Sequence, residues 1–442
     1  MVGASLSGVT FISVPGMVGS ADFTYLQMVM GFMAGYVFIM AVLLPLYYRL
    51  GLTSIYTYLQ GRFGNYSYKT GASFFMLSRI IGASFRLFLV AIVVELAILE
   101  PMFSQSVPSW AFAVIVAVVL AVIYLYTRKG GMATVIWTDT VQTAAMLTAV
   151  ILTVLAIANT QGAHWTEIPE LVKSSGMTKI FVFDDWKAGN HFVKHFLAGA
   201  FVCIAMTGLD QDMMQKNLSC RNIKEAQLNM ASFSIVLVFV NLLFLSLGAL
   251  LYIFAAEKGI AIPEKSDLLY ATIALEHLSP FIGITFILGL IAAAYSSADS
   301  ALTALTTSVC VDILNFRETN DQNVMQQQQK TRFAVHIGVS VMLFFTIILF
   351  WFINDDTVIS QIFKVAGYTY GPLLGLYVFG FFTKMKPNDA LVPFVCVAAP
   401  IATYVLNYFS ETLFWGYKFG FELLLLNGLL TFLGLLLISQ KK

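Results

Sequence analysis

The chain has 442 residues, of which 59% are hydrophobic and 11% charged, with a formal net charge of +1 and a mean hydropathy of +0.81. A soluble globular chain carries about 25% charged residues, and one as apolar as this would expose aggregation-prone patches. The balance excludes a soluble globular protein, gives nucleic acid nothing to bind, and leaves a polytopic helical membrane protein set in the lipid bilayer.

The first 19 residues are apolar but too short to span comfortably, and no basic region precedes them as it would in a signal peptide. Gly, Ser and Thr crowd the segment Gly3-Ala4-Ser5-Leu6-Ser7-Gly8-Val9-Thr10, and Pro15-Gly16 closes it. It reads either as a tight helix interface or as a broken helix. Unwound backbone is tolerated at membrane depth only where it is buried in protein or lines a cavity, and broken helices point to transporter sites.

A window of about 20 apolar residues then predicts spans near 25–48, 73–99, 108–127, 132–158, 192–214, 230–255, 281–314, 333–353, 358–382, 390–409 and 419–439. The second carries Arg79 and Arg86. Arg79 is expected to snorkel or pair. Arg86 lies deeper, where it either holds a solute carboxylate in a bidentate pair or partners Glu95 or another internal acid. Asp139 stands one turn into its span, as a helix-start acid or as a functional one.

His191 and His195 have neither an intervening Glu nor a third ligand nearby, so no zinc site is expected. The seventh span contains Ala292-Ala293-Ala294-Tyr295-Ser296-Ser297-Ala298-Asp299-Ser300. Small residues alone would be packing glue. Serines with a buried aspartate suggest handling of a cation. Gln326–Gln329 are expected in a solvated loop at 316–331, and the four cysteines read as small apolar fillers. Lys and Arg favour alternate loops at 49–72, 128–131, 215–229, 315–332, 383–389 and the terminal Lys441-Lys442, which predicts a cytoplasmic C-terminus in a cell inner (plasma) membrane. No nucleophile–base pair or metal cluster suggests an enzyme.

Three blocks carry a family resemblance: Leu6-Ser7-Gly8-Val9-Thr10-Phe11; Gly130-Gly131-Met132-Ala133-Thr134-Val135-Ile136-Trp137-Thr138-Asp139-Thr140-Val141-Gln142; and Ala293-Ala294-Tyr295-Ser296-Ser297 with Val311-Asp312-Ile313 downstream. Asp210-Gln211-Asp212-Met213-Met214-Gln215-Lys216 supports them, being similar to a family segment that ends in Gln-Arg. The chain resembles the sodium/solute symporter family, which includes bacterial sodium/galactose, sodium/proline and sodium/sialic acid transporters. The first block is most similar to the sialic acid branch.

The resemblance implies an all-α polytopic five-plus-five inverted repeat with two additional C-terminal helices, in one transmembrane domain over 1–442. Residues 1–158 would form the first repeat, 190–382 the second, and 390–439 the additional helices. The family carries a further helix and half a core helix before the first block, so the first repeat is expected to be incomplete at its start. The implied function is sodium-coupled symport of a small polar organic solute (a sugar, a sialic acid or another carboxylate) by alternating access, in a monomer. Proton coupling on the same fold, or a non-transporting sensor or channel, remain alternatives.

The implied sodium (Na+) ligands are carbonyls of Gly3, Leu6 and Ala293 and hydroxyls of Ser296 and Ser297. Hard cations favour such oxygens, although the serines could instead bond back to their own helix. A second sodium site would use Asp139, Ser296, Asp299 and Ser300. Asp299 departs from the family pattern, so this region reads as a two-carboxylate sodium site or a protonatable pair. Solute contacts would come from Ser5, Ser7, Thr10, Tyr25, Gln27, Arg86, Asp210 and Gln211.

Overall fold

The computed structural model describes residues 8–51, 54–99, 108, 110–127, 132–317, 319–353 and 358–440, with backbone alone at 98–99, 126, 132–136, 294, 296–297 and 358–360. Its principal helices are α1 (Gly8–Gly16), α2 (Tyr25–Leu50), α3 (Asn65–Ala97), α4 (Ala111–Thr127), α5 (Met132–Thr160), α6 (Phe192–Gly208) and α7 (Gln211–Leu218). They continue with α8 (Ile223–Lys258), α9 (Pro280–Ile313), α10 (Gln322–Ile353), α11 (Val358–Thr369), α12 (Gly371–Phe382), α13 (Val392–Tyr408) and α14 (Leu423–Leu437). Each apolar window of the sequence coincides with one helix or one bent pair.

Two spans read as continuous are broken. α6 and α7 meet at 67°, and the α11 and α12 segments meet at 46° across Tyr370. The first break has a local cause. α6 ends in a widened π turn at Ile204–Gly208, and Asp210 then adopts an extended conformation and caps α7 by accepting from the N–H groups of Asp212 and Met213. The carbonyls freed by the break are satisfied by protein: Tyr47 donates to Gly208 O at 2.9 Å and Tyr56 to Leu209 O at 3.0 Å. This is the condition under which unwound backbone survives at membrane depth. A window average of hydropathy cannot see such a break.

Another correction concerns 316–331. Its glutamines lie in the first turns of α10, which starts at Gln322. The run is largely exposed, with Gln328 half-buried, but helical, because Gln is a good helix former.

α2 packs closely on α6, and α5 on α9. The first crossing depends on glycine. A Cβ on Gly31 would lie 2.2 Å from Phe196 O, and one on Gly199 2.2 Å from Met28 O. In lipid, small residues let helix backbones approach this closely. α1 is held by a ring cluster in which Phe11 packs 5.5 Å from Phe286, 5.2 Å from Tyr270 and 6.3 Å from Phe244.

The loops fall into two groups, as the alternation of basic charge requires. On one face, Arg62 donates to Thr383 O and Met385 O, Asp389 accepts from the N–H groups of Tyr66 and Ser67, Lys69 donates to Asn315, and Tyr48 donates to Asn217 O. The C-terminal Ser439–Gln440 pairs there with Lys386–Pro387. On the other face, Phe23 N–H meets Lys179 O and Lys187 meets Trp415 O. Three cysteines are buried and Cys220 is half-buried, all as free thiols.

Candidate functional site

A cavity of about 130 Å³ opens where α1, α2, α3, α6, α8 and α11 converge. Thr10, Tyr25 and Tyr36 supply hydroxyls, Asn241 an amide, and Arg79 and Arg86 two guanidinium groups, while Phe32, Met206 and Phe363 fill the apolar wall. α1 contributes Thr10 beside Val9 to the cavity wall, while Phe11, about 100° further round the helix, packs on Phe286.

The two arginines lie seven residues apart on α3, about 10 Å along the axis, and their environments differ. Arg79 is 6% exposed, is ion-paired to Asp212, and stands 3.9 Å from Asp210. It pairs, and does not snorkel. Asp210 also accepts a 2.7 Å hydrogen bond from Tyr370. Arg86 has no carboxylate in ion-pair range among the described residues, and its Nε has no hydrogen-bond partner. The expected pairing with Glu95 or another internal acid is therefore not found. The spacing of Arg86 and Glu95 along one helix, about 13 Å, explains why these two do not meet. The Oδ1 of Asn241 is likewise unpartnered in the cavity wall, its Nδ2 being donated to Leu237 O. A buried polar atom without a partner is costly, so this wall is built to receive polar groups.

A second cluster lies where α5, α7 and α9 meet. Lys216 Nζ stands 3.1 Å from Asp139 Oδ2 and donates to Ser300 Oγ at 2.7 Å. Asp299, the residue before Ser300 on α9, is fully buried, and its Oδ1 accepts from the Ser300 N–H.

Residues 1–394 match the Sodium:solute symporter family. The chain belongs to that family. It is 23% identical over 428 residues to the sodium/sialic acid symporter SiaT of Proteus mirabilis, covering 93% of this chain and 82% of that one. It is 25% identical over 409 residues to the sodium/sialic acid symporter NanT of Aliivibrio fischeri, covering 90% and 77%. In three dimensions it is similar to the substrate-bound outward-open state of a Na+-coupled sialic acid symporter, with a TM-score of 0.79 at 19% identity over 100% of this chain and 89% of the other. The fold is that of the inverted-repeat transporters. The protein is a multi-pass membrane symporter that couples solute import to sodium, and not an enzyme.

In this symporter the expected sodium ligands fall unevenly. Ala293 is buried on α9, with Ser296 and Ser297 on the same helix. The side chains of those serines, and all of Gly3 and Leu6, lie outside the described residues, as do the expected solute contacts Ser5 and Ser7. Of the remaining solute candidates, Thr10, Tyr25 and Arg86 line the cavity.

Three others do not line it. Gln27 is fully buried, donating to Thr24 O and Asn190 O and accepting from Val182 N–H, so its amide ties α2 to the 182–190 loop. Asp210 is spent on the α7 cap, Tyr370 and Arg79. Gln211 accepts from Ile55 N–H. The family resemblance implies all three near the solute, and each instead meets backbone groups or charge within the protein.

Of the expected second sodium set, the Ser296 side chain lies outside the described residues. Asp139 and Ser300 do come together, but around the Lys216 ammonium. Lys216 counts in the sequence as a charge of the 215–229 loop, yet it is 6% exposed. The signal was present: Lys216 closes the Asp210–Lys216 block, four residues and hence one helical turn after Asp212. Asn241 and Tyr370 have no comparable signal, since a single polar residue in an apolar run reads as packing.

Proposed function

We propose that the symporter imports a small organic solute bearing a carboxylate, held by Arg86 in the central cavity, with Asn241, Thr10 and Tyr25 meeting its hydroxyl or amide groups. The observation that carries this reading is the contrast on α3. Arg79 is neutralised by two aspartates, whereas Arg86, seven residues on, faces the cavity without an acidic partner among the described residues. A planar guanidinium matches a carboxylate bidentately. Sialic acid, named for both relatives, carries a carboxylate with several hydroxyls, which fits this arrangement.

We place the driving sodium among the carbonyls of Gly3, Leu6 and Ala293 and the hydroxyls of Ser296 and Ser297. Support comes from the packing of α9 on α1. Gly289 lies against Phe11, which also stacks 5.5 Å from Phe286 on the same helix. On this reading 1–158 and 190–382 are the two repeats, 390–439 lies outside them, the C-terminus is cytoplasmic, and one chain suffices for transport.

Uptake into proteoliposomes tests the solute class. Sodium-dependent uptake of labelled N-acetylneuraminate or a simple monocarboxylate, competed by carboxylates and not by their amides, is expected. Uptake of a neutral sugar, with no competition by any carboxylate, would overturn the reading.

A further inference from the structure

We propose that the Lys216 ammonium takes the place of a second sodium ion, so that this symporter binds one sodium and not two. The nitrogen lies 3.1 Å from Asp139 Oδ2 and 2.7 Å from Ser300 Oγ. These oxygens come from α5 and α9, and the amine from α7. A carboxylate and a hydroxyl converging from two helices are the oxygens a hard cation would take. An ammonium is a compact point charge with three donors that takes them equally well. The two cations exclude one another, because a sodium on the same oxygens would sit in contact with a like charge in a low-dielectric interior.

The lysine is built in. Its side chain is 4% exposed and that of Asp139 9%. Asp212 stands one turn before Lys216 on α7 and is itself paired with Arg79. A buried charge pair in a network of this kind is costly to break by removing one partner. Unlike sodium, the ammonium is tethered to the chain and does not leave with the solute. The positive charge that a second ion would bring from outside is therefore a permanent part of the protein, and each cycle moves one sodium ion down its gradient instead of two.

The inference goes beyond sodium coupling itself, and rests on the site at Ala293, Ser296 and Ser297 for the one remaining ion. Sodium binding to the purified full-length symporter tests it without knowledge of the solute. Thermal unfolding is followed across a sodium chloride titration, with choline chloride holding ionic strength constant. The wild-type protein is expected to gain unfolding free energy with ln[Na+] at a limiting slope near one RT, the mark of one bound ion. Lys216→Gln, which keeps the length and removes the charge, is expected to raise the slope towards two, and Lys216→Gln with Asp139→Asn to return it to one. Lys216→Arg retains the charge and the slope of one.

A wild-type slope near two, or a folded Lys216→Gln protein still at one, would overturn the proposal. The wild-type measurement decides even where Lys216→Gln does not fold. Failure of the sodium-site assignment would show separately, as a Ser297→Ala protein with the wild-type sodium midpoint.

Discussion

The phenol of Tyr370 donates a 2.7 Å hydrogen bond to the carboxylate of Asp210. Tyr370 stands at the 46° bend between α11 and α12, and Asp210 at the 67° break between α6 and α7. The two discontinuities of the bundle are thus tied to one another, next to Arg79 and the cavity. A hydrogen bond to a buried charged group contributes about 1.5–3 kcal/mol. Tyr370→Phe is expected to lower the thermal unfolding midpoint and to slow sodium-driven uptake with little change in apparent sodium affinity. Wild-type stability and turnover in that variant would show that the breaks move independently.

Arg79 gives a sharper stability test. Removing one partner of a buried ion pair leaves an uncompensated charge, at a cost of about 3–5 kcal/mol. Arg79→Met should therefore yield a protein that extracts poorly and unfolds early. Arg79→Met combined with Asp212→Asn should recover part of the loss, because the abandoned carboxylate is gone. A double variant no more stable than the single one would mean that Asp210, not Asp212, is the partner that matters.

Arg86 separates recognition from folding. Arg86→Lys keeps a positive charge but loses the planar fork that a carboxylate fits. The expected result is a folded, membrane-inserted protein whose solute affinity falls at least tenfold, with a wild-type sodium midpoint in the absence of solute. Unchanged solute affinity would assign Arg86 to the architecture of α3.

The sodium site is tested at Ser297. Loss of one oxygen ligand of a cation, taken as a charge-assisted contact of about 1.5–3 kcal/mol, corresponds to roughly a tenfold to hundredfold weaker apparent sodium affinity. Ser297→Ala should shift the sodium dependence of uptake by that amount while leaving uptake at saturating sodium closer to wild type.

Packing of the bundle is tested where two glycines cross. A methyl on Gly199 would meet Met28 O at 2.2 Å. Overpacking of this sort costs about 1–3 kcal/mol or more. Gly199→Ala is expected to destabilise the protein measurably, whereas Gly82→Ala, with open space around it, should not.

The run of apolar windows, the alternation of basic loops and the three motif blocks determined by themselves that this chain is a bundle of membrane helices from the Sodium:solute symporter family. That information is local. Some 20 apolar residues must span a bilayer wherever they occur, and small and hydroxylated residues in order along the chain mark the family without any knowledge of contacts.

Which polar residue does what was decided only by tertiary structure. Gln27, Asp210 and Gln211 carry the right chemistry for a solute, but backbone groups of loops and helix ends lie beside them and claim their hydrogen bonds. Lys216 reads as a loop charge until α7 turns it between Asp139 and Ser300. Arg79 and Arg86 look alike in sequence. Only the packing of α7 against α3 brings Asp212 to the first and leaves the second facing the cavity, because pairing of buried charges depends on which helices meet and not on where they stand along the chain.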